Sequence, residues 1–348
     1  MNIVRACILF RKTTFSPRFN ATGAIMRLTL VIFSIAYVLG LGSPVQAKET
    51  LIFAHLFPEK SPQQQYLIDA DRELMQRTGG QLGLDIRPHG QIGDQDTRIM
   101  EAMSLGQADM TLAGAAFGAR DYAPLAVVAT PFGFRDYEHW QHFKTSQLAR
   151  ELREGYEKAS GMVLLGYYYY GTRHIHSKVP VRKLEDLAGL KIRVPNAPVF
   201  LQLFRALGAT PVPLPFWQTY DALKQGTIDA EENPLPTIDD ARLYDGASYI
   251  SLSGHVTDTA MVLISARRLN SLSASQQQLV RDVFAKVADR LSETIHVREQ
   301  EEVVLLKAKG VTFFQIDRAA FAARVAPFLK SKDFAWSGDL YERLQGIQ

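Results

Sequence analysis

Between Ser273 and Lys309 the chain runs without a single glycine or proline. The stretch opens on Ser273-Ala274-Ser275-Gln276-Gln277, which reads as a helix cap, and closes at Gly310. Within it Leu279, Val280, Val283, Phe284, Val287 and Leu291 recur at the spacing of one helical face. Some 35 helical residues would rise about 50 Å at ~1.5 Å each, farther than one lobe of a chain this size extends. Such a helix must cross two lobes or break near Glu293-Thr294-Ile295. The crossing is expected.

The first 47 residues stand apart from the rest. Met26-Arg27 begins a short positive segment, Leu28 to Gly42 is almost wholly apolar, and Ser43-Pro44-Val45-Gln46-Ala47 places small residues where a signal peptidase reads. This pattern predicts a secretory signal cleaved after Ala47, and hence a periplasmic protein. The apolar run of about 15 residues is short of the ~20 that a spanning helix needs, with a retained anchor as the alternative. Residues 1–25 read as an upstream extension. Arg5, Arg11, Lys12, Arg18 and Arg27 lie in the discarded segment with no acid beside them, so the +3 of the whole chain becomes −2. That balance gives no reason to expect nucleic acid as a partner. The only cysteine, Cys7, is lost with it, which excludes disulfides, a thiolate nucleophile and cysteine-bound metal. What remains is longer than one core usually supports. Two lobes are expected, 48–170 plus 259–298 and 171–258 plus 299–348, in a monomer.

Strand and helix signals alternate along those lobes. Thr50 to Ala54 reads as a strand, Ser61-Pro62 opens a helix to about Arg77, and Gly79-Gly80 ends it. A strand follows at Gly83–Arg87, then a helix capped by Asp94 and ended by Gly106, then a strand from Asp109. The class is α/β with largely parallel sheets. An internal echo supports duplication: Ala102-Met103, Gly106 and Asp109 recur as Ala222-Leu223, Gly226 and Asp229.

Enzyme signatures are missing from the sequence: no G-x-S-x-G, H-E-x-x-H, P-loop or G-x-G-x-x-G occurs, and no nucleophile is paired with a base. No cofactor or metal is expected. His174 and His176 read as an exposed pair on one strand face, and Asp94-x-Asp96 as an N-cap rather than a calcium loop. Two arginines and an amide draw attention by position. Arg193 follows the apolar Gly189-Leu190-Lys191-Ile192 and precedes Pro195 and the cap-like Asn196. Arg173 follows the strand Met162–Tyr170 and the turn Gly171-Thr172, and Asn233 ends a strand before Pro234. Ligands of open α/β sheets bind outside the carboxyl ends of strands, and the planar guanidinium grips a carboxylate through two parallel bonds. A structural ion pair at a strand end is the competing reading of Arg193.

At these residues the chain resembles the extracytoplasmic solute receptors of tripartite ATP-independent periplasmic (TRAP) transporters. The resemblance covers nearly all of residues 48–348. It rests on Gly171-Thr172-Arg173-His174, Leu184 to Pro195, Pro215-Phe216-Trp217-Gln218-Thr219-Tyr220 and Gln225 to Pro234, with Gly90-Gln91-Ile92-Gly93 and Pro131–Phe134 in the first lobe. It implies a periplasmic-binding-protein-like fold of two lobes, with a ligand cleft between them and a long helix spanning both. It also implies that Arg193 bridges the ligand carboxylate, that Arg173 and Asn233 assist, and that Phe216 packs over the ligand. The function implied is capture of a small organic acid by cleft closure and its delivery to the transporter's membrane subunits. The alternatives are a sensor serving a signalling partner, or an exported enzyme on the same scaffold. Trp217 stands where the family usually has an acid, and Gly114–Arg120 is unusually small and apolar. Trp217 or Phe117 are candidates for further cover, and His55 and Gln91 for first-lobe contacts.

Overall fold

The computed structural model describes residues 48–329 and 338–348. The signal segment and the expected cleavage after Ala47 lie outside the described residues. Among the described residues no helix is long and apolar enough to cross a membrane.

Nine strands form one sheet: β1 (Glu49–Ala54), β2 (Leu82–Arg87), β3 (Met110–Gly114), β4 (Met162–Ser177), β5 (Lys191–Val194), β6 (Thr210–Pro213), β7 (Ala230–Pro234), β8 (Tyr249–Ser265) and β9 (Thr312–Gln315). Their order is β2-β1-β3-β8-β4-β7-β5-β6, with β9 beside β8. Read inward from either edge the pattern is the same, two parallel pairings followed by an antiparallel one onto a long strand. The sheet is thus mixed rather than largely parallel. The reason is that β4 and β8, 16 and 17 residues long, run antiparallel to each other and serve both halves.

The internal echo has a structural cause. Gly106 and Gly226 end their helices in the left-handed conformation, at φ 78° and 77°. The aspartate three residues on then ties two strands: Asp109 Oδ2 accepts the Ile52 N–H at 2.9 Å, and Asp229 Oδ2 accepts that of Lys191 at 3.0 Å. The same short peptide starts the third strand of each half.

Ser61 caps its helix through the Gln64 N–H, with Pro62 in the first turn. Asp94 does not act this way, because Gln95 occupies the N-cap and Asp96 begins the helix Asp96–Leu105. Ala197 likewise takes the cap position expected for Asn196. The long helix runs from Ala274 to Ala308 without a break at Glu293–Ile295, opened by a capping box of Ser273 and Gln276. All six apolar residues of its expected face are buried. It meets both halves. Thr294 hydrogen-bonds Tyr66 at 2.6 Å, while Arg298 bonds Asp240 at 2.8 and 3.0 Å and Lys309 pairs with Asp239. Gly166 on β4 lets it approach, since a Cβ there would lie 2.7 Å from Ala288.

A β-bulge interrupts the pairing of β4 with β8 beside the cleft. Tyr169 pairs Thr259 and Gly171 pairs Asp258, so Tyr170 is an extra residue, and β4 continues through what reads in sequence as a turn. Glu299 on the long helix fixes this point by accepting the Thr172 N–H and the Tyr169 hydroxyl, and burial raises its carboxyl pKa to about 7. The C-terminal helix Gly338–Gln345, expected with the second lobe, bonds instead to first-half residues. Arg343 pairs with Glu151, and the Leu344 carbonyl with His139.

Gly171 has φ +122°, and a Cβ there would meet Pro234 at 2.6 Å. Gly171→Ala is expected to lower unfolding free energy by ~1–3 kcal/mol in denaturant titrations, through backbone strain and the clash. Unchanged stability would show that the bulge has slack.

Candidate functional site

The carboxyl ends of the parallel strands from both halves converge on one cleft. Its space, counted with the open mouth, is about 680 Å³, within the range of small-molecule sites. The first half contributes Leu56, Phe57, Asp96, Leu112, Gly114, Ala116 and Phe117, and the second Arg193, Pro195, Phe200, Phe216 and Asn233. The crossing strands supply Tyr168, Tyr170, Arg173, Asp258 and Ala260. The bulge decides which β4 side chains face this space. Tyr168 and Tyr170 follow the two-residue period, and the extra residue re-aims the sequence so that Arg173 points inward.

Arg173 and Arg193 are both buried, but their surroundings differ. Arg173 donates from Nε to Glu232 Oε2 at 2.5 Å and from Nη1 to Asp258 Oδ2 at 2.8 Å. Its Nη2 reaches the Glu232 carbonyl and Oε1 and the Asn233 Oδ1 at 2.7, 2.8 and 3.0 Å. Burial alone would lower its pKa, yet Glu232 and Asp258 hold it above the usual range. Glu232 is shared with His255 Nε2 at 3.0 Å. Asn233 continues the network by donating to Glu231, which meets His176 at 2.9 Å. Arg173 and Asn233 therefore line the cleft while most of their bonding capacity serves a buried ionic network.

Arg193 has no carboxylate within ion-pair distance among the described residues. Its Nε and Nη2 both donate to one neutral acceptor, the Leu214 carbonyl, at 3.0 and 2.9 Å. Burial pushes its pKa down to about 10; Glu232 opposes this and Arg173 adds repulsion. It remains protonated at neutral pH. The Phe216 ring lies 5.8 Å from its guanidinium carbon. A buried cation with an unspent face onto a cavity is prepared for an anion.

The other candidates separate cleanly. Phe117 lines the cleft, whereas Trp217 is 59% exposed and does not. His55 is fully buried beside the cleft, held by Gln64 at 2.7 Å and accepting the Phe57 N–H, and burial lowers its pKa to about 4. It positions the Phe57 loop rather than lining the space. Gln91 is exposed and outside the cleft. His174 and His176 are not an exposed pair. His174 Nδ1 accepts the Gly254 N–H, and its pKa is lowered to about 3 by burial and then His255, while His176 is fully buried. No metal-holding cluster of side chains occurs among the described residues.

Several cleft residues are not evident from the sequence. Asp96, which there reads as part of a cap, accepts the Gly114 N–H at 3.1 Å and faces the cleft. Asp258 does carry a signal: it is a lone acid in the apolar second half of β8, and an unpaired charge there is costly enough to demand a partner. Tyr168 and Tyr170 are hidden in a run of four tyrosines whose alternating faces only the bulge resolves.

The two arginines predict opposite stability effects. Arg173→Met leaves Glu232 and Asp258 buried without their cation, so a loss of ~3–5 kcal/mol is expected in denaturant unfolding. Arg193→Met removes a cation that has no anionic partner among the described residues, and should leave the stability of the unliganded protein unchanged or higher. Equal losses in both would contradict the distinction.

Comparison with known proteins agrees with this architecture. Residues 53–334 match the model of the DctP family, the bacterial extracellular solute-binding proteins of family 7. The chain is 30% identical over 269 residues to the sialic acid-binding periplasmic protein SiaP of Vibrio cholerae, covering 77% of this chain and 82% of that one. It is 28% identical over 275 residues to the solute-binding protein RD1_1052 of Roseobacter denitrificans, covering 79% and 84%. Among solved structures, a TRAP periplasmic solute-binding protein of Bordetella bronchispeptica superposes with a TM-score of 0.81 at 27% identity, over 86% of this chain and 100% of that one. One from Pseudomonas putida F1 with bound D-glucuronate gives 0.81 at 27%, over 86% and 97%. The chain belongs to family 7 of the bacterial extracellular solute-binding proteins.

Proposed function

We propose that the protein captures a small organic acid in the cleft between its two lobes, with Arg193 as the principal anchor, and hands it to the membrane subunits of a TRAP transporter. The lobes are residues 48–170 with 259–298, and 171–258 with most of the chain after 298, the C-terminal helix packing back on the first. The protein is exported by cleavage after Ala47 and acts as a monomer in the periplasm. The acids named for relatives, among them glucuronate and sialic acid, carry the carboxylate that Arg193 would hold.

The observation that carries this reading is that Arg193 has no counter-ion among the described residues. An isolated buried guanidinium is unfavourable, and a carboxylate ligand supplies its charge partner in a place where water is excluded. Arg173 and Asn233 hold the wall behind it, and Phe216 covers it. In the open state the Arg193 cation is hydrated. Closure removes that water, and the first-lobe contacts made only then set how far the equilibrium shifts.

Calorimetric titration of the purified protein with a panel of mono- and dicarboxylates tests this. At least one acid should bind with a 1:1 stoichiometry, and Arg193→Lys should weaken it by more than ~10-fold, since a point charge replaces a planar fork. Undiminished affinity in that variant would remove Arg193 from the central role.

A further inference from the structure

We infer that the protein holds a second small-molecule site beside the cleft, where Gln63 seats the amide group of a neutral, largely apolar molecule. A separate cavity of about 380 Å³, counted with its open mouth, lies between the first turn of the helix Pro62–Arg77, the helix Leu235–Asp240 and the long helix. Gln63 lines it and is 6% exposed, and its side-chain amide has no hydrogen-bond partner among the described residues. Buried polar groups are ordinarily paired, so an unpaired amide in a cavity wall marks where another molecule's polar atoms bond. The cavity shares Phe57, Tyr170 and Phe216 with the cleft but none of the cleft's charged residues. It is therefore not a further part of the acid's site.

The walls define what fits. Pro58, Pro62 and Pro236, with Phe57, Phe216 and Ile295, make most of the surface apolar. Proline fixes its own φ, so these stretches of wall are held without an occupant, and binding costs little reordering. Two charged side chains reach the cavity, and they neutralise each other. Arg298 holds Asp240 through parallel bonds of 2.8 and 3.0 Å, and it also reaches Glu302 at 2.7 Å. Thr237 spends its hydroxyl proton on Tyr170 at 3.2 Å. What is left unspent is the Gln63 amide, an N–H donor beside a carbonyl acceptor. Its complement offers an acceptor and a donor side by side. A neutral amide or lactam does so, whereas a carboxylate or ketone only accepts and an ammonium only donates.

The walls come from both halves, Pro58, Pro62 and Gln63 from the first and Phe216, Pro236 and Thr237 from the second. An occupant that touches both favours the arrangement in which they face each other. The cleft needs that same arrangement, and Phe57, Tyr170 and Phe216 belong to both spaces. A molecule in the amide site and an acid in the cleft should therefore bind more tightly together than alone, and thermodynamic linkage makes that effect mutual. This linkage rests on the acid-binding reading; the amide site does not.

The test is a ligand-observed NMR titration with benzamide, acetophenone, benzoate and benzylamine, one ring carrying four different groups. The protein carries Arg193→Met, so that benzoate meets no anchor in the cleft. Benzamide should bind ~5-fold or more tighter than each of the other three. Adding Gln63→Leu breaks no side-chain bond within the described chain, so the fold should persist by circular dichroism, while benzamide should fall to the level of acetophenone. Any of the other three binding as tightly as benzamide, or benzamide binding untouched by Gln63→Leu, would overturn the site. So would no binding of benzamide at all, the result if water alone meets Gln63. In the protein with Arg193 intact, saturating benzamide should lower the Kd of an acid bound in the cleft by ~5-fold or more. An unchanged Kd would overturn the linkage and leave the amide site standing. Failure of every carboxylate to bind there would overturn the Arg193 anchor and the linkage together, while the benzamide series still decides the amide site.

Discussion

Two guanidiniums in one cleft wall carry the same charge and are buried to nearly the same extent, at 3% and 4% exposure, yet among the described residues only one meets a counter-charge. Arg173 sits in a cage of Glu232, Asp258 and Asn233 that accepts from each of its nitrogens. Arg193 has one backbone carbonyl among the described residues. A buried ion is tolerable when its hydrogen bonds and counter-charge are supplied locally, and the folded chain supplies both for the first arginine. For the second the described residues supply neither in full. That asymmetry separates a structural cation from a recognition cation, and residue type alone does not reveal it.

The fold holds these groups in register across a gap. The parallel strands at either edge of the one sheet end at the cleft, and β4 and β8 pass between them. The long helix bridges the halves, with Glu299 bonded to the backbone at the bulge. The consequence falls on the site wall: the extra residue at Tyr170 turns Arg173 toward the cleft.

How much of this is legible in the sequence follows from where the information lies. The long helix is readable because its signal is local and redundant, combining periodicity, a capping box and the absence of breakers. The duplicated halves are readable because Gly106 and Asp109, and their counterparts Gly226 and Asp229, each do a local job. Arg193 is readable from its place at a strand end. Asp96 and Asp258 are not, because their importance comes from being brought together across residues distant in sequence. The mixed sheet is hidden for a related reason: strand direction across a long crossing strand is a tertiary property. His55 and Gln91 are suggested only by nearness to strand ends, which does not specify side-chain direction. The first turns inward to hold Gln64 and the second outward to solvent.

The most direct measurement is a crystal structure of the protein with the acid it binds. The account predicts one carboxylate of that acid within about 3 Å of the Arg193 guanidinium nitrogens, inside the cleft, with the Arg173–Glu232 pair intact behind it. An acid held elsewhere, or in the cleft with Arg193 still bonded only to the Leu214 carbonyl, would contradict it.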